Sequence, residues 1–235
     1  MRHTSFIAAA FLALASSAFA QDPPTLPLPT DPVEIGRSAN DGQWFGTFDF
    51  GARATSVEGD EARFMRYRDL RPGLYGTNGM IGRRTADWAI EGHAWNVGYR
   101  DQRYQLGVER VGRLNAQFLW DQIPLYISND TSTLYTQTAP GVFRLEDLMQ
   151  QEIQAGTKTR RAFEDQATQF QMRTMRRIAE ADIKLQTDKD SDIQVLFRNT
   201  SREGEIPFGA TFGFNNAVEL PAPIDYRTTD VRTSF

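Results

Sequence analysis

Residues 179–200 have the sequence AEADIKLQTDKDSDIQVLFRNT, in which apolar and polar side chains alternate on both sides of an acidic turn at residues 188–192. The apolar set is Ala179, Ala181, Ile183, Leu185, Ile193, Val195 and Phe197. The polar set is Glu180, Asp182, Lys184, Gln186, Gln194, Arg198 and Thr200, and Leu196 is the exception. Because successive side chains of a strand point to opposite faces, this pattern predicts a hairpin with one apolar and one polar face. The polar face must meet water, either outside a β-sandwich or inside a wide lumen.

The same two-residue period recurs from Trp44 onward. Alternating segments lie at residues 44–53, 88–94, 104–109 and 114–121, with Leu119 as an exception. Turn signals separate them at Gly59-Asp60, Asn78-Gly79, Gly98 with Asp101, and Val111-Gly112. Strands of about ten residues joined by such turns are typical of a membrane β-barrel and of a β-sandwich alike.

Two features favour the barrel over the sandwich. Aromatic residues occur near the predicted strand ends, as an interfacial girdle requires: Trp44, Tyr75, Trp88, Trp120 and Tyr126. Long apolar runs are scarce, so the strands offer too few apolar side chains to fill a dry core between the two sheets of a sandwich. We therefore predict an all-β fold with the strands of an antiparallel transmembrane β-barrel.

One segment departs from this pattern and predicts a short helix in a long loop. Leu145, Leu148, Met149 and Ile153 have helical spacing, and Gly156 is a stop signal. We place this helix in a loop over residues 127–171 and expect a second long loop over residues 204–223.

The N-terminal residues predict export. Residues 1–20 combine a positive start, an apolar run from Phe6 to Ala15 and the small-residue cleavage pattern Ala18-Phe19-Ala20 of a secretory signal peptide. The run is shorter than the ~20 residues that cross a bilayer. Residues 21–42 contain five prolines and predict an extended periplasmic linker, and residues 43–235 hold the barrel strands. We expect the mature protein in the bacterial outer membrane.

Composition excludes several classes of function. The chain has no Cys, so disulfides, thiolate metal sites and a CxxCH haem attachment are excluded. The net charge of -4 and pI near 5.3 argue against a nucleic-acid partner. The mean hydropathy of -0.49 is compatible with a barrel, because only alternate residues of each strand meet lipid.

The candidate chemical residues are few. His93, two residues from Glu91 on the polar face of its strand, is a candidate metal ligand or general base. Since no second His or Cys follows the signal peptide, we prefer a lumen histidine bonded to its neighbours or to water. Asp188, Asp190 and Asp192 resemble a calcium loop, but Ile193 and Asn199 stand where that loop needs Gly and Glu.

Three further patterns also carry no predicted site. The glycine-rich Gly209–Phe214 segment has no Lys for a phosphate cradle, and no GxSxG nucleophile motif is present. Arg63, Arg66, Arg68 and Arg71 are interspersed with acids, which is typical of a solvated or salt-bridged surface. We therefore expect no catalytic, cofactor-binding or metal-binding residues, and no enzyme activity.

Several motifs in order resemble a known family. They are Phe48–Arg53, Gly59–Phe64, Tyr67–Arg71, Asn96–Tyr104, Trp120–Pro124 and Asn129–Thr131. The series is similar to the N-terminal portion of the MtrB/PioB family of decahaem-cytochrome-associated outer-membrane proteins, strongly over residues 44–136 and more loosely to the end. Some members carry a cysteine pair near the mature N-terminus, and this chain has none.

The resemblance implies a β-barrel that sheathes a multihaem c-type cytochrome and lets it conduct electrons across the outer membrane. It implies no cofactor in this chain, with haem only on the partner. The expected partners are a periplasmic multihaem cytochrome, an outer-surface cytochrome as a second candidate, and outer-membrane lipid.

Three further expectations follow. Members are far longer, so we expect a truncated chain whose unpaired edge strands do not insert stably alone. A general diffusion porin is the alternative function, because its strands alternate equally well. A barrel hydrolase that uses His93 is the third hypothesis.

Overall fold

The computed structural model describes residues 42–211 and 217–235, so the predicted signal peptide and nearly all of the predicted linker lie outside the described residues. The chain forms one antiparallel sheet of eight strands. The strands are β1 (Trp44–Arg53), β2 (Gly73–Arg84), β3 (Trp88–Val97), β4 (Arg103–Arg110), β5 (Leu114–Thr133), β8 (Thr168–Asp188), β9 (Ser191–Thr211) and β10 (Ala217–Ser234). Each strand pairs with the next in this order, which confirms the predicted antiparallel all-β wall.

Two loops contain further elements. Helix α1 (Glu61–Met65) lies between β1 and β2. Between β5 and β8 the chain forms a small hairpin of β6 (Thr136–Ala139) and β7 (Val142–Arg144), then helix α2 (Asp147–Gln154) and a 3₁₀ helix (Arg160–Gln166). Helix α2 confirms the predicted helix, and its Met149 is buried. Among the described residues, every helix is too short or too polar to cross a bilayer.

The two ends of the sheet differ in their connections. One end, the short-turn end, carries turns at residues 85–87, 111–113 and 189–190. The other, the loop end, carries the longer connections at residues 54–72 and 134–167 and the turn at 98–102. The turns predicted at Gly98 and Gly112 are confirmed, and both glycines have the positive φ that such turns use, +92° and +64°.

The hairpin of residues 179–200 has the predicted register. Ala181 lies opposite Phe197 and Ile183 opposite Val195, while Glu180 lies opposite Arg198 on the other face. The turn is tighter than predicted, because Asp188 already pairs with Ser191. This register places every alternating residue of the pair on its expected side.

Both predicted long loops are wrong in extent. Strand β5 continues to Thr133 and pairs there with Thr168 of β8, so the first loop covers only residues 134–167. The predicted loop at residues 204–223 is mostly strand, with Pro207 opposite Pro221. Beyond Gly204, β9 has no further β8 partner and pairs with β10 alone among the described strands. Prolines are tolerated there, because a strand edge does not need their missing amide hydrogen.

The predicted turn at Asn78-Gly79 is also wrong, because Gly79 lies inside β2. A Cβ at this position would stand 2.7 Å from the ring of Phe48 on the neighbouring strand. Glycine is therefore used here for the close approach of an aromatic ring and not for a turn.

The aromatic residues predicted to form an interfacial girdle differ in their position and exposure. Trp44 and Trp88 lie at strand starts and are exposed, as a girdle requires. Trp120 is exposed, but it lies inside β5, so its predicted position at a strand end is wrong. Tyr126 is only 2% exposed and packs against Ala62 and Met65 of α1, so its assignment to the girdle is wrong.

The sheet exposes an apolar face and is open. Large apolar side chains with exposures between 38% and 59% lie on this face: Trp44, Phe48, Ile81, Leu106, Phe118 and Phe197. Among the described residues, β1 pairs only with β2 and β10 only with β9. An open, one-sided sheet of this kind agrees with the expectation that the barrel is incomplete.

Candidate functional site: the polar face of the wall

The polar face of β3 holds the first group of candidate residues. Glu91, only 9% exposed, has one oxygen 2.7 Å from His93 Nε2 and the other 3.3 Å from Arg84 Nη2. The prediction that His93 bonds to a neighbour is confirmed. The carboxylate bridges two basic groups, which fixes the imidazole in place.

Trp95 and Arg103 extend this group along the wall. The indole ring of Trp95 stacks on His93 with ring centroids 5.4 Å apart and planes 9° from parallel. The Arg103 guanidinium lies 5.6 Å from the Trp95 ring centroid, within range of a cation–π interaction. Within the described residues, no group of three His, Asp or Glu side chains is arranged to hold a metal ion.

Strands β8 and β9 carry a second set of paired charges. Arg198 Nε lies 3.4 Å from Glu180, Gln194 donates to both oxygens of Asp182 at 2.8 and 3.1 Å, and Lys184 lies 2.9 Å from Asp192. Glu180 and Arg198 lie directly opposite each other, and the other two contacts are diagonal pairs between the same two strands. Asp192, which the calcium-loop pattern included, is therefore engaged in an ion pair.

One row across six strands combines polar and apolar side chains. Its members are Met80, His93, Gln105, Leu119, Glu180 and Arg198, each opposite the next in the sheet. Leu119, the exception in the alternation of β5, is half-buried in the middle of this row. Leu196, the exception in β9, lies on the same face opposite Asp182.

A second site, the loop-end cluster, consists of Asp69, Arg71, Tyr99, Arg100 and Tyr126. Asp69 is 1% exposed and accepts hydrogen bonds from Arg71 Nε at 2.8 and 2.9 Å and from the Arg100 amide at 2.9 Å. The Tyr99 hydroxyl donates to the carbonyl of Arg71 at 2.8 Å. The cluster therefore connects the β1–β2 loop to the β3–β4 turn.

Two carboxyl groups at the loop end have opposite pKa shifts. Burial alone would raise the pKa of Asp69, but the hydrogen bonds from Arg71 and Arg100 and the charge of Arg71 lower it below its usual range. Burial raises the pKa of Asp101, against the weaker effects of hydrogen bonds and of Arg68. Asp69 is therefore a well-paired carboxylate, whereas Asp101 is a poorly compensated one.

Further contacts at the loop end involve residues of the other sequence motifs, including Arg53, Asp60 and the arginine cluster. Arg53 donates to the carbonyl of Asp69 at 2.7 Å and lies over the ring of Tyr75 at 4.6 Å. Asp60 caps α1 by accepting from the Ala62 amide at 2.9 Å, and it also accepts from the Asn129 amide at 3.2 Å. Of the predicted arginine cluster, Arg68 and Arg71 lie in ion pairs with Asp101 and Asp69.

We did not predict from the sequence that these motifs meet in one cluster at the loop end, although we identified the motifs and their order along the chain.

Residues 57–235 match the family model described as "Putative outer membrane beta-barrel porin, MtrB/PioB". The chain belongs to the MtrB/PioB family. Comparison with curated proteins gave no match.

Membership of the MtrB/PioB family assigns the two faces of the sheet. The protein is an outer-membrane β-barrel protein, so the exposed apolar face meets lipid and the polar face lines the interior. The row through His93 and Leu119 therefore belongs to the interior wall. The matched region starts after β1 and includes both the polar row and the whole loop-end cluster.

Proposed function

We propose that this barrel wall sheathes a multihaem c-type cytochrome and thereby supports electron transfer across the outer membrane. The chain itself would carry no cofactor and perform no catalysis, since haem would reside only on the partner. Its role would be to hold the haem protein across the bilayer and to separate it from lipid.

The mixed row on the interior face is the observation that carries this proposal. Met80, Leu119 and Leu196 are half-buried apolar side chains among charged neighbours. Water in an open pore gains nothing from apolar side chains, whereas the surface of a bound protein buries them. Apolar side chains among polar ones, with Trp95 nearby, are typical of protein interfaces.

The pairing of interior charges also supports a protein partner. Glu91 and Glu180 lie beside Arg84 and Arg198, at 3.3 and 3.4 Å. Charges that are already paired within the wall cost less to desolvate when another protein covers them than isolated charges would. The alternative, a general diffusion porin, requires only a solvated polar wall.

The test is co-purification of haem with the full-length protein from native outer membranes. We expect Leu119→Asp to reduce the haem-staining protein that co-purifies per barrel about tenfold, equivalent to ~1.4 kcal/mol of binding free energy. The matched control is Asn115→Asp, four residues earlier on the same face of β5, which should retain the haem protein.

Two outcomes would contradict the proposal. A wild-type barrel that purifies without haem and conducts ions as an open channel would favour the diffusion porin. Loss of a hydrolytic activity in His93→Ala would favour the barrel hydrolase.

Export by a cleaved signal peptide is part of the same proposal. N-terminal sequencing of the mature protein should therefore give Gln21 as its first residue.

A further inference from the structure

We propose that the lipid-facing side of the short-turn end binds an anionic glycerophospholipid, with its phosphate at Arg83 and Arg110 and an acyl chain in the apolar trough beside them. The proposal rests on three observations: two outward arginines, the tryptophan ring beside each of them, and the trough. It is independent of what the barrel interior carries.

The strand register places both arginines on the apolar face. Arg83 lies opposite Trp44 and Ile90, and Arg110 lies opposite Trp88 and Leu114. Both are exposed and both lie at the short-turn ends of their strands. Barrels of this class have short turns on the periplasmic side and longer loops outside, so this end faces the periplasmic leaflet.

The outward arginines differ from the interior ones in their partners. Arg84 and Arg198, on the polar face, lie beside carboxylates. In the described part of the chain, neither Arg83 nor Arg110 lies within ion-pair distance of a carboxylate. A positive charge on a lipid-facing surface is unfavourable unless it reaches the headgroup layer, where lipid phosphate is the available counter-charge.

A tryptophan ring lies beside each guanidinium group, and Arg83 Nε also donates to the carbonyl of Gly42 at 3.1 Å. Arg83 lies 5.8 Å from the Trp44 ring centroid and Arg110 lies 5.4 Å from that of Trp88. Tryptophan side chains concentrate at the boundary between headgroups and acyl chains. The two positive charges are therefore held at the level of the lipid phosphates.

The trough begins on the same face, one residue pair further along the strands, about 7 Å from Arg83. It has a volume of about 740 Å³. Large side chains form its walls, namely Phe48, Ile81, Leu106, Phe118 and Phe197. Small residues form its floor, namely Gly79, Gly92, Ala94 and Ala181. An acyl chain that descends from a phosphate at Arg83 would enter this trough directly.

The occupant follows from this combination of charge and shape. A second copy of the chain would bring its own arginines to the same belt, and like charges would repel. A phospholipid supplies both a phosphate for the arginines and a hydrocarbon chain for the trough. Among phospholipids, an anionic headgroup such as phosphatidylglycerol adds a net charge that the two arginines favour.

The test measures lipid retained by the full-length barrel. The protein is incorporated into vesicles of phosphatidylethanolamine and phosphatidylglycerol at three to one, then extracted in mild detergent and examined by native mass spectrometry. We expect wild type to retain phosphatidylglycerol, and Arg83→Gln with Arg110→Gln to retain at least fivefold less, since each such charge favours anionic lipid about fivefold.

The matched control removes two positive charges from the interior face near the same end, with Lys184→Gln and Arg232→Gln, and should retain lipid as wild type does. A separate variant, Ala181→Phe, fills the trough without changing charge and should also lower retention. Haem co-purification should be unaffected by Arg83→Gln with Arg110→Gln.

Three results would overturn the proposal. They are equal retention in wild type and in the outward double variant, equal loss in the interior double variant, and retention of phosphatidylethanolamine and phosphatidylglycerol by wild type in the three-to-one ratio of the vesicle.

Discussion

The hairpin of β8 and β9 and the loop-end cluster are stabilised in different ways. The hairpin repeats one pattern, in which an apolar pair such as Ile183 and Val195 alternates with a polar pair such as Glu180 and Arg198. The loop-end cluster repeats no pattern, because Asp69 accepts hydrogen bonds from Arg71 and Arg100, whereas Tyr126 packs on α1. The stability of the hairpin therefore depends on whether each face is apolar or polar overall, whereas the stability of the cluster depends on individual packing contacts and hydrogen bonds.

This difference teaches where substitutions should be tolerated. A wall position accepts any side chain that suits lipid or water on its side. A cluster position has a fixed shape and fixed hydrogen-bond partners, so even a conservative change leaves a cavity or an unpaired group. Three substitutions compare the two regions by the free energy of unfolding of the full-length barrel in lipid vesicles.

The largest expected effect is at Tyr126, which lies under α1 and is 2% exposed. Tyr126→Ala removes the ring that packs on Ala62 and Met65 and should destabilise the protein by about 4 kcal/mol. Tyr126→Phe should cost less than about 1 kcal/mol, because the hydroxyl has only a long contact of 3.4 Å with Arg100. Urea titrations of the three proteins measure this, and equal losses for Ala and Phe would show that packing is not the cause.

The next effect separates the two faces of the wall. Phe118→Arg places a charge on the lipid face and should cost about 3 kcal/mol near the middle of the bilayer. Gln117→Arg, the adjacent residue on the interior face, should change stability little. Gel-shift assays of the folded fraction measure both variants, and equal sensitivity at the two positions would contradict the assignment of the faces.

The smallest effect is pH-dependent and concerns Asp69. Asp69→Asn weakens the contacts with Arg71 and the Arg100 amide and should cost about 2 kcal/mol at neutral pH. Because the pKa of Asp69 is lowered in the folded protein, its stabilisation is present above the ordinary aspartate pKa of about 4 and is lost as pH falls through the folded pKa.

The difference between wild type and Asp69→Asn should therefore shrink below about pH 4. Asp101 is present in both proteins, but the charge of Asp69 contributes to its raised pKa, so Asp69→Asn also changes the titration of Asp101. Asp130→Asn, at an exposed position of β5, is the control and should change stability by less than about 0.5 kcal/mol. A loss that stays constant with pH would mean that the charge of Asp69 does not contribute.

Much of the barrel wall was predictable because the alternation of apolar and polar residues can be read from neighbouring positions in the sequence. Alternation along residues 179–200 predicted the hairpin, its register and both of its faces. The same reasoning placed Glu91 and His93 on one face, and the structure adds their contact of 2.7 Å. Helix α2 was predictable for the same reason, since its apolar residues repeat at helical spacing.

Other features were predicted wrongly because neighbouring strands decide them. Gly79 has the sequence character of a turn, but it lies within a strand because the ring of Phe48 occupies the space of a side chain. Residues 204–223 were predicted as a loop, but Pro207 and Pro221 lie opposite each other in the part of the described sheet where β9 pairs with β10 alone. These outcomes depend on a partner strand, which no local pattern identifies.

The sequence by itself therefore determined which side chains of the hairpin meet lipid and which meet the interior, because a strand turns successive residues to opposite faces whatever lies beside it. Only the tertiary structure brought Asp69, Arg100 and Tyr126 into one cluster. The Arg100 amide bonds to a carboxylate 31 residues away, and Asn129 bonds to Asp60 across 69 residues. Contacts over such separations depend on the register of the intervening strands, and so they exist only once the sheet has formed.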